Sequence, residues 1–176
     1  MKLKRKSKKI ENFVDGLHKH IITDKSFRRT TLGKSEAQIQ GEIRPLILDY
    51  LKRWFKKQGV VDYENMAHKS FYWEGQESRH RGANVSVFGA YNYPDFIIEK
   101  PYRIAVEYKQ SPNGSTVKQG VGQSIMLTQS GEYDFVYYLF NDQSPKKKIV
   151  GSLDSPAEKK ITSNLWKNNN VRFAVV

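Results

Sequence analysis

Two runs of sequence decide the fold of this 176-residue chain: Asp95-Phe96-Ile97-Ile98-Glu99 and Arg103-Ile104-Ala105-Val106-Glu107-Tyr108-Lys109. Both are rich in apolar and β-branched residues, which predicts two strands. The short connection at Lys100-Pro101 predicts that the strands pair antiparallel. Because successive side chains of a strand point to opposite faces, Glu107 and Lys109 share one face, and Asp95 opens the neighbouring strand beside Glu107.

Helical patterns flank these strands on both sides. Residues 10–22 predict a short amphipathic helix, and residues 35–58 predict a long one with Ser35 as its N-cap. Pro45 lies inside the long pattern, so that helix either begins near Gly41 or kinks at the proline. After the two strands, residues 116–129 predict another helix.

The remaining segments complete a mixed α and β pattern. Residues 60–72 alternate weakly and predict a strand, and residues 74–92, rich in Gly, Ser, Asn and Arg, predict a long loop or a hairpin. Residues 133–140 form an apolar run typical of a strand buried on both faces. A helix near 156–168 and a strand at 171–176 end the chain. This order predicts an α/β or α+β sandwich around a mixed sheet.

The charge of the chain is strongly positive and uneven. Lys and Arg number 30 against 18 Asp and Glu, and residues 1–34 hold 11 basic and 3 acidic residues. This basic arm predicts contact with phosphates; a solubilising tail or a localisation signal is the alternative. The chain has no cysteine, which excludes disulfide scaffolds, cysteine nucleophiles and iron–sulfur clusters. No apolar run is long enough to cross a bilayer, so we expect no membrane association and an intracellular protein, cytoplasmic or, in a eukaryote, nuclear.

The two strands also bring together groups that carry chemistry. Asp95 and Glu107 would form a two-carboxylate pocket, and like charges held that close need a cation between them. Oxygen ligands favour Mg²⁺ or Mn²⁺, and the Lys109 ammonium would lie close by. A second Glu-x-Lys, at Glu158-Lys159-Lys160, has no preceding strand and is interpreted as a chance occurrence. The alternative is that Asp95, Glu107 and Lys109 are ordinary solvated charges of a surface hairpin.

With Pro94-Asp95 followed by Glu107-Tyr108-Lys109, the chain resembles the PD-(D/E)XK nuclease superfamily across residues 35–141. The resemblance implies an α/β (α+β) protein with a restriction-endonuclease-like core, in which helices flank a mixed central sheet, plus the basic N-terminal arm. It predicts an arm at residues 1–34, a nuclease-like core at 35–143 and a C-terminal extension packed on the core at 144–176.

The resemblance also implies the roles of individual residues. Asp95 and Glu107 would be metal ligands, the Tyr108 carbonyl a further ligand, and Lys109 the catalytic lysine. Many family members add an acid from the first helix, for which Glu42 is the first candidate and Glu36 the second.

Other residues are expected to contact the nucleic acid. In the second helix of the predicted core, Gln119 and Gln123 loosely match a glutamine that relatives carry, and Lys118 would pair with a phosphate. In the preceding loop, Arg79 and Arg81 would contact phosphate beside tyrosines that stack on bases. Each of these five has the alternative of an ordinary surface residue.

The function expected from these features is a Mg²⁺-dependent nuclease, with Mn²⁺ as a substitute, that hydrolyses phosphodiester bonds, most simply as an endonuclease on DNA. Two alternatives stay open: a catalytically inactive nucleic-acid-binding protein of the same fold, and an assembly protein whose basic tail binds nucleic acid. RNA as substrate and a homodimer as the assembly also stay open.

Overall fold

A computed structural model describes residues 8–25, 27, 33–73, 85–87 and 90–176. The described helices are α1 (Lys8–Thr23), α2 (Glu36–Lys57), α3 (Tyr63–Lys69), α4 (Gly114–Gln129), α5 (Lys148–Ser152) and α6 (Pro156–Asn169), with a 3₁₀ turn at Pro145–Lys147. The described strands are β1 (Phe71–Trp73), β2 (Val85–Val87), β3 (Ala90–Asn92), β4 (Phe96–Ile98), β5 (Ile104–Ser111), β6 (Phe135–Asp142) and β7 (Val171–Val175).

Five strands form one mixed sheet in the order β1-β4-β5-β6-β7. The pairs β1–β4 and β4–β5 are antiparallel, whereas β5–β6 and β6–β7 are parallel. Helix α4 makes the crossover between the parallel strands β5 and β6, and β2 and β3 form a separate antiparallel hairpin. The antiparallel pairing predicted around Lys100-Pro101 and the α/β class with a mixed sheet are both confirmed.

Helices cover the sheet on both faces. On one face, α1 and α2 pack against side chains such as Ile98 and Val106. On the other face, α4 and α6 pack against Ile97 and Ala105, and Val85 of the hairpin joins them. Since side chains alternate along β5, Glu107 belongs to the same face as Ala105. The site therefore lies on the side of the sheet covered by α4 and the β2–β3 hairpin.

Helix α2 begins at its predicted cap. The Ser35 hydroxyl accepts the Gln38 N–H at 3.4 Å, and the Gln38 side chain accepts the Ser35 N–H at 2.9 Å, which together make a capping box. From there the helix runs through Pro45 to Lys57, so it does not start near Gly41. Its buried side chains recur every four residues, and their burial in the core holds the helix across the proline. These side chains are Ile39, Ile43, Ile47, Leu51 and Phe55.

The strand predicted for residues 60–72 is wrong for most of that stretch. Helix α3 occupies Tyr63–Lys69, and only Phe71–Trp73 extends as β1. The weak alternation was misleading because Val61 is 97% exposed, so its apolar side chain marks no buried strand face. Instead Ala67 is buried from α3 against the core.

The two ends of the described chain join the same architecture. Helix α1 buries Phe13 and Leu17 in the cluster that contains α2, so residues 8–23 pack on the core. At the other end, β7 pairs with β6 along five residues and extends the sheet. Within the described residues, no helix is both long and apolar enough to cross a membrane.

A glycine sets the distance between α4 and the sheet. A Cβ at Gly120 would overlap the buried ring of Tyr138, with Cε1 at 2.9 Å, whereas a Cβ at Gly122, two residues further along the helix, meets nothing within 4 Å. We expect Gly120→Ala to lower the free energy of unfolding by about 1–3 kcal/mol through overpacking. Gly122→Ala should be neutral or raise it by up to about 1 kcal/mol, because alanine is the better helix former. Urea unfolding of both variants checks this; equal effects at the two positions would contradict it.

Candidate active site

The two carboxylates predicted to converge lie on neighbouring strands. Phe96, the first residue of β4, pairs with Val106. Asp95 lies one residue before β4 begins, and extending the register by one position sets it opposite Glu107. Asp95 is 6% exposed and Glu107 is 5% exposed. The Asp95 Oδ2 accepts the backbone N–H of Tyr108 at 2.7 Å. Asp95 is therefore hydrogen-bonded to the backbone of β5 at Tyr108, the residue that follows Glu107.

Lys109 carries its ammonium into a group of carboxylates. Its Nζ donates to Glu36 Oε1 at 2.9 Å. Burial alone would lower the pKa of Lys109, but the carboxylates of Asp95, Glu36 and Glu107 outweigh it, and the pKa lies above its ordinary value. The side chain is therefore a cation at neutral pH.

Glu36 reaches this group from the first turn of α2. The capping box at Ser35 fixes that turn, and an acid there is favourable next to the exposed N–H groups of the helix. Glu42, the first candidate for the helix carboxylate, instead pairs with Lys34. The geometry thus favours Glu36 over Glu42 as the α2 carboxylate that forms an ion pair with Lys109.

Tyr108, between Glu107 and Lys109, sends its side chain to the opposite face of the sheet. Its hydroxyl donates to Gln110 Oε1 and accepts from Asn141 Nδ2, both at 3.1 Å. Burial raises the pKa of this phenol, so it stays neutral. This side chain is part of the core; the ligand role of the Tyr108 carbonyl stays a prediction.

Sequence reasoning missed a tyrosine that borders the carboxylates. Tyr138 of β6 is the register partner of Glu107 and is fully buried. Burial raises its pKa, and the charges of Glu107 and Glu36 raise it further, which indicates that both acids lie near its ring. The only signal in the sequence was its place in an apolar run, which indicated a core residue.

The three side chains of α4 that are predicted to contact nucleic acid lie on different sides of the helix. Gln123 Nε2 donates to Asn92 Oδ1 of the hairpin at 3.3 Å, and Gln119, one turn earlier, is exposed. Lys118 instead lines a 380 Å³ cavity with Val121 and with residues of α6. The structure therefore directs Gln123 towards the side of β4, where Asp95 lies, and Lys118 away from it.

The predicted loop contacts are only partly visible. Arg79 and Arg81 lie outside the described residues. The tyrosines after them, Tyr91 and Tyr93, are 65% and 39% exposed, with ring centroids 6.5 Å apart. Two accessible aromatic faces thus precede Asp95 directly in the chain.

The candidate metal ligands of this site, the carboxylates of Asp95 and Glu107, are oxygen donors. Within the described ranges, no group of three or more His, Asp or Glu side chains is arranged to hold one ion. The pair Asp95 and Glu107 would therefore need a backbone carbonyl or water as further ligands, which suits Mg²⁺. With all three acids ionised, Asp95, Glu107, Glu36 and Lys109 would carry a formal charge of about −2 between them, which a divalent cation would balance.

Comparisons with protein-family models, with curated proteins and with solved structures find no match to this chain.

The contact between Asp95 and Tyr108 predicts a difference between two substitutions. Asp95→Ala removes the acceptor of a buried N–H and is expected to lower the free energy of unfolding by about 1–3 kcal/mol. Asp95→Asn keeps an oxygen acceptor at the same place and should cost clearly less. Urea unfolding measures both, and identical midpoints would show that the contact does not stabilise the fold.

Proposed function

We propose that this protein is a Mg²⁺-dependent nuclease that hydrolyses phosphodiester bonds, with DNA as the expected substrate. The observation that carries the proposal is the arrangement of two buried carboxylates opposite each other on paired strands, with the Lys109 ammonium beside them. Asp95, Glu107 and Lys109 are the residues of the Asp…Glu-x-Lys pattern. Three charged groups in one largely buried place are unusual unless they perform chemistry.

The order of the elements supports the resemblance to PD-(D/E)XK nucleases. Helix α2 is followed by the short helix α3, the antiparallel meander β1-β4-β5, helix α4 and the parallel strand β6. Apart from α3, this order is similar to the helix, three-stranded meander, helix and strand of that superfamily. The hairpin β2–β3 would then be an insertion in the meander, and α1, α3, α5, α6 and β7 would be additions to a restriction-endonuclease-like core.

Asp95 and Glu107 would hold the ion, with the Tyr108 carbonyl as a third oxygen ligand. A bound Mg²⁺ or Mn²⁺ supplies a Lewis acid at a phosphoryl oxygen and lowers the pKa of a coordinated water. Lys109 would hold the attacking water and offset negative charge on the phosphate. Glu36 is then a positioning residue, since it touches the Lys109 ammonium.

A basic turn lies at the same end of the strands as Lys109, and it supports a polyanionic substrate. Strand β5 ends two residues after Lys109, and Gln143 N donates to Ser111 O at 3.1 Å, so β6 ends beside it. The exposed Lys146–Lys148 segment follows. The buried Asp142 carboxylate fixes it by accepting the N–H groups of Ser144, Ile149 and Val150 at 2.8–2.9 Å.

A nucleic-acid-binding protein of the same fold without catalysis is the second candidate. It is favoured by the ion pair between Lys109 and Glu36 and by the pairing of Glu42 with Lys34, because both give the charged groups a structural role. It predicts DNA binding that needs no divalent ion.

Substitution of the carboxylates tests the nuclease directly. Glu107→Gln and Asp95→Asn remove a negative ligand with little change in shape, and each should lower DNA cleavage in Mg²⁺ by more than about 100-fold. Binding to the same DNA in a gel-shift assay should be retained. Glu158→Gln, which alters the other Glu-x-Lys of the chain, is the matched control and should cleave normally.

The assay uses linear, circular, single-stranded and branched DNA with Mg²⁺ or Mn²⁺. Metal-independent binding by the unsubstituted protein without cleavage of any substrate would overturn the nuclease and support the binding protein. Cleavage that Glu107→Gln leaves unchanged would remove Glu107 from the site.

A further inference from the structure

A groove of 820 Å³ lies between α1 and the second half of α2. It is on the face of the sheet that α1 and α2 cover, whereas Glu107 is on the other face. Along α2, Trp54 in the groove is 18 residues from Glu36, or about 27 Å at the rise of an α-helix. The groove is therefore separate from the candidate active site.

The rim of the groove is positively charged. Four basic residues line it: Lys9, Lys19, Arg53 and Lys57. Arg53 pairs with Asp49 at 2.8 Å, whereas the three lysines are exposed and form no ion pair with another described residue. Among the described residues of the lining, the one acid is Asp15, which is paired with Arg172 at 3.1 Å.

The floor of the groove is apolar and already rigid. The Tyr50 hydroxyl donates to the Phe13 carbonyl at 2.7 Å, and the Trp54 ring packs edge-on against Phe13 at 4.9 Å. Gly16 permits this close approach, because a Cβ there would overlap the Tyr50 hydroxyl. Tyr50 and Trp54 are thus held by contacts within the protein, which lowers the entropic cost of binding a ligand against them.

Two of the groove's lysines, Lys9 and Lys19, belong to the basic stretch at residues 1–34 of the sequence. Lys9 belongs to the first turn of α1, and the seven residues before this helix include Lys2, Lys4, Arg5 and Lys6. Lys9 and Lys19 are ten residues apart on α1, about 15 Å along the helix axis, which is about the rise of four base pairs along the axis of duplex DNA. A cationic rim of this length over an apolar floor fits phosphates and sugars of a nucleic-acid backbone.

We infer that the α1–α2 groove is a second nucleic-acid contact, which binds the sugar–phosphate backbone of DNA through Lys9, Lys19 and Lys57. It would supply affinity independent of sequence, remote from the bond that is cut. This inference does not depend on catalysis, because a DNA-binding protein without nuclease activity would use the groove in the same way.

The salt dependence of binding tests the groove. The variant Lys9→Gln/Lys19→Gln/Lys57→Gln is compared with Lys159→Gln/Lys160→Gln/Lys167→Gln, which removes the same charge from exposed positions of α6. Fluorescence anisotropy of labelled duplex and single-stranded DNA is measured in a chelator, so that no metal-dependent cleavage intervenes. The groove variant should lose about tenfold or more in affinity for DNA. For duplex DNA between about 50 and 200 mM salt, the slope of log K against log salt should become less negative by about 2–3. The α6 variant should keep the original slope.

Equal losses in the two triple variants would overturn the groove as a site, because net charge alone would then explain the binding. Competition by polyglutamate as effective as by DNA of the same charge would also overturn it and indicate an acidic protein partner. If a triple variant fails to fold, as judged by circular dichroism, Lys57→Glu against Lys167→Glu gives the same comparison with one substitution each. Full groove binding without any cleavage would leave this inference standing and overturn only the nuclease.

Discussion

The register between β4 and β5 is the constraint on which the candidate site depends. It sets Asp95 opposite Glu107. The hydrogen bond from Tyr108 N–H to Asp95 Oδ2 fixes Asp95 to β5 at the start of β4 and so stabilises this register. A slip of one residue would turn Glu107 and Lys109 towards α1 and α2 and bring Tyr108 to the face of α4. The apolar residues of β5 prevent this slip, since Val106 and Ala105 are each packed into a different cluster. The core thus fixes the position of the charges.

Helix α2 connects the two ends of the molecule that we interpret as functional. Its first turn presents Glu36 to Lys109, and its last turns form one wall of the basic groove. Between these ends, the helix buries an apolar stripe against the sheet, so both surfaces belong to one rigid element. A nucleic acid held along the groove would therefore have a defined position relative to the site, although the two lie on different faces of the sheet.

The sequence predicts β4 and β5 well because their strand character is a local property, whereas the weak alternation of residues 60–72 was misleading. The face shared by Glu107 and Lys109 follows directly from the strand period of β5. The choice between Glu36 and Glu42 does not, because it depends on which turn of α2 lies over the end of β5, and only tertiary packing decides that. Tyr138 was hidden for a related reason: an apolar run indicates burial without telling which residue of the next strand it borders. The groove was equally invisible, since Lys9 and Lys57 come together only when α1 packs on α2.

The charge of Lys109 defines what this residue contributes to the proposed reaction. The surrounding carboxylates raise its pKa, so near neutral pH it has no lone pair with which to accept a proton. In the proposed reaction it would therefore act by charge: it would orient a water through its N–H donors and offset negative charge at the phosphate. The proton of that water must pass to a carboxylate or to bulk solvent. The same carboxylates that keep Lys109 charged also make a divalent cation favourable, because one ammonium cannot balance three acids. In the proposed reaction, the requirement for a metal and the protonated state of the lysine would have one common electrostatic cause.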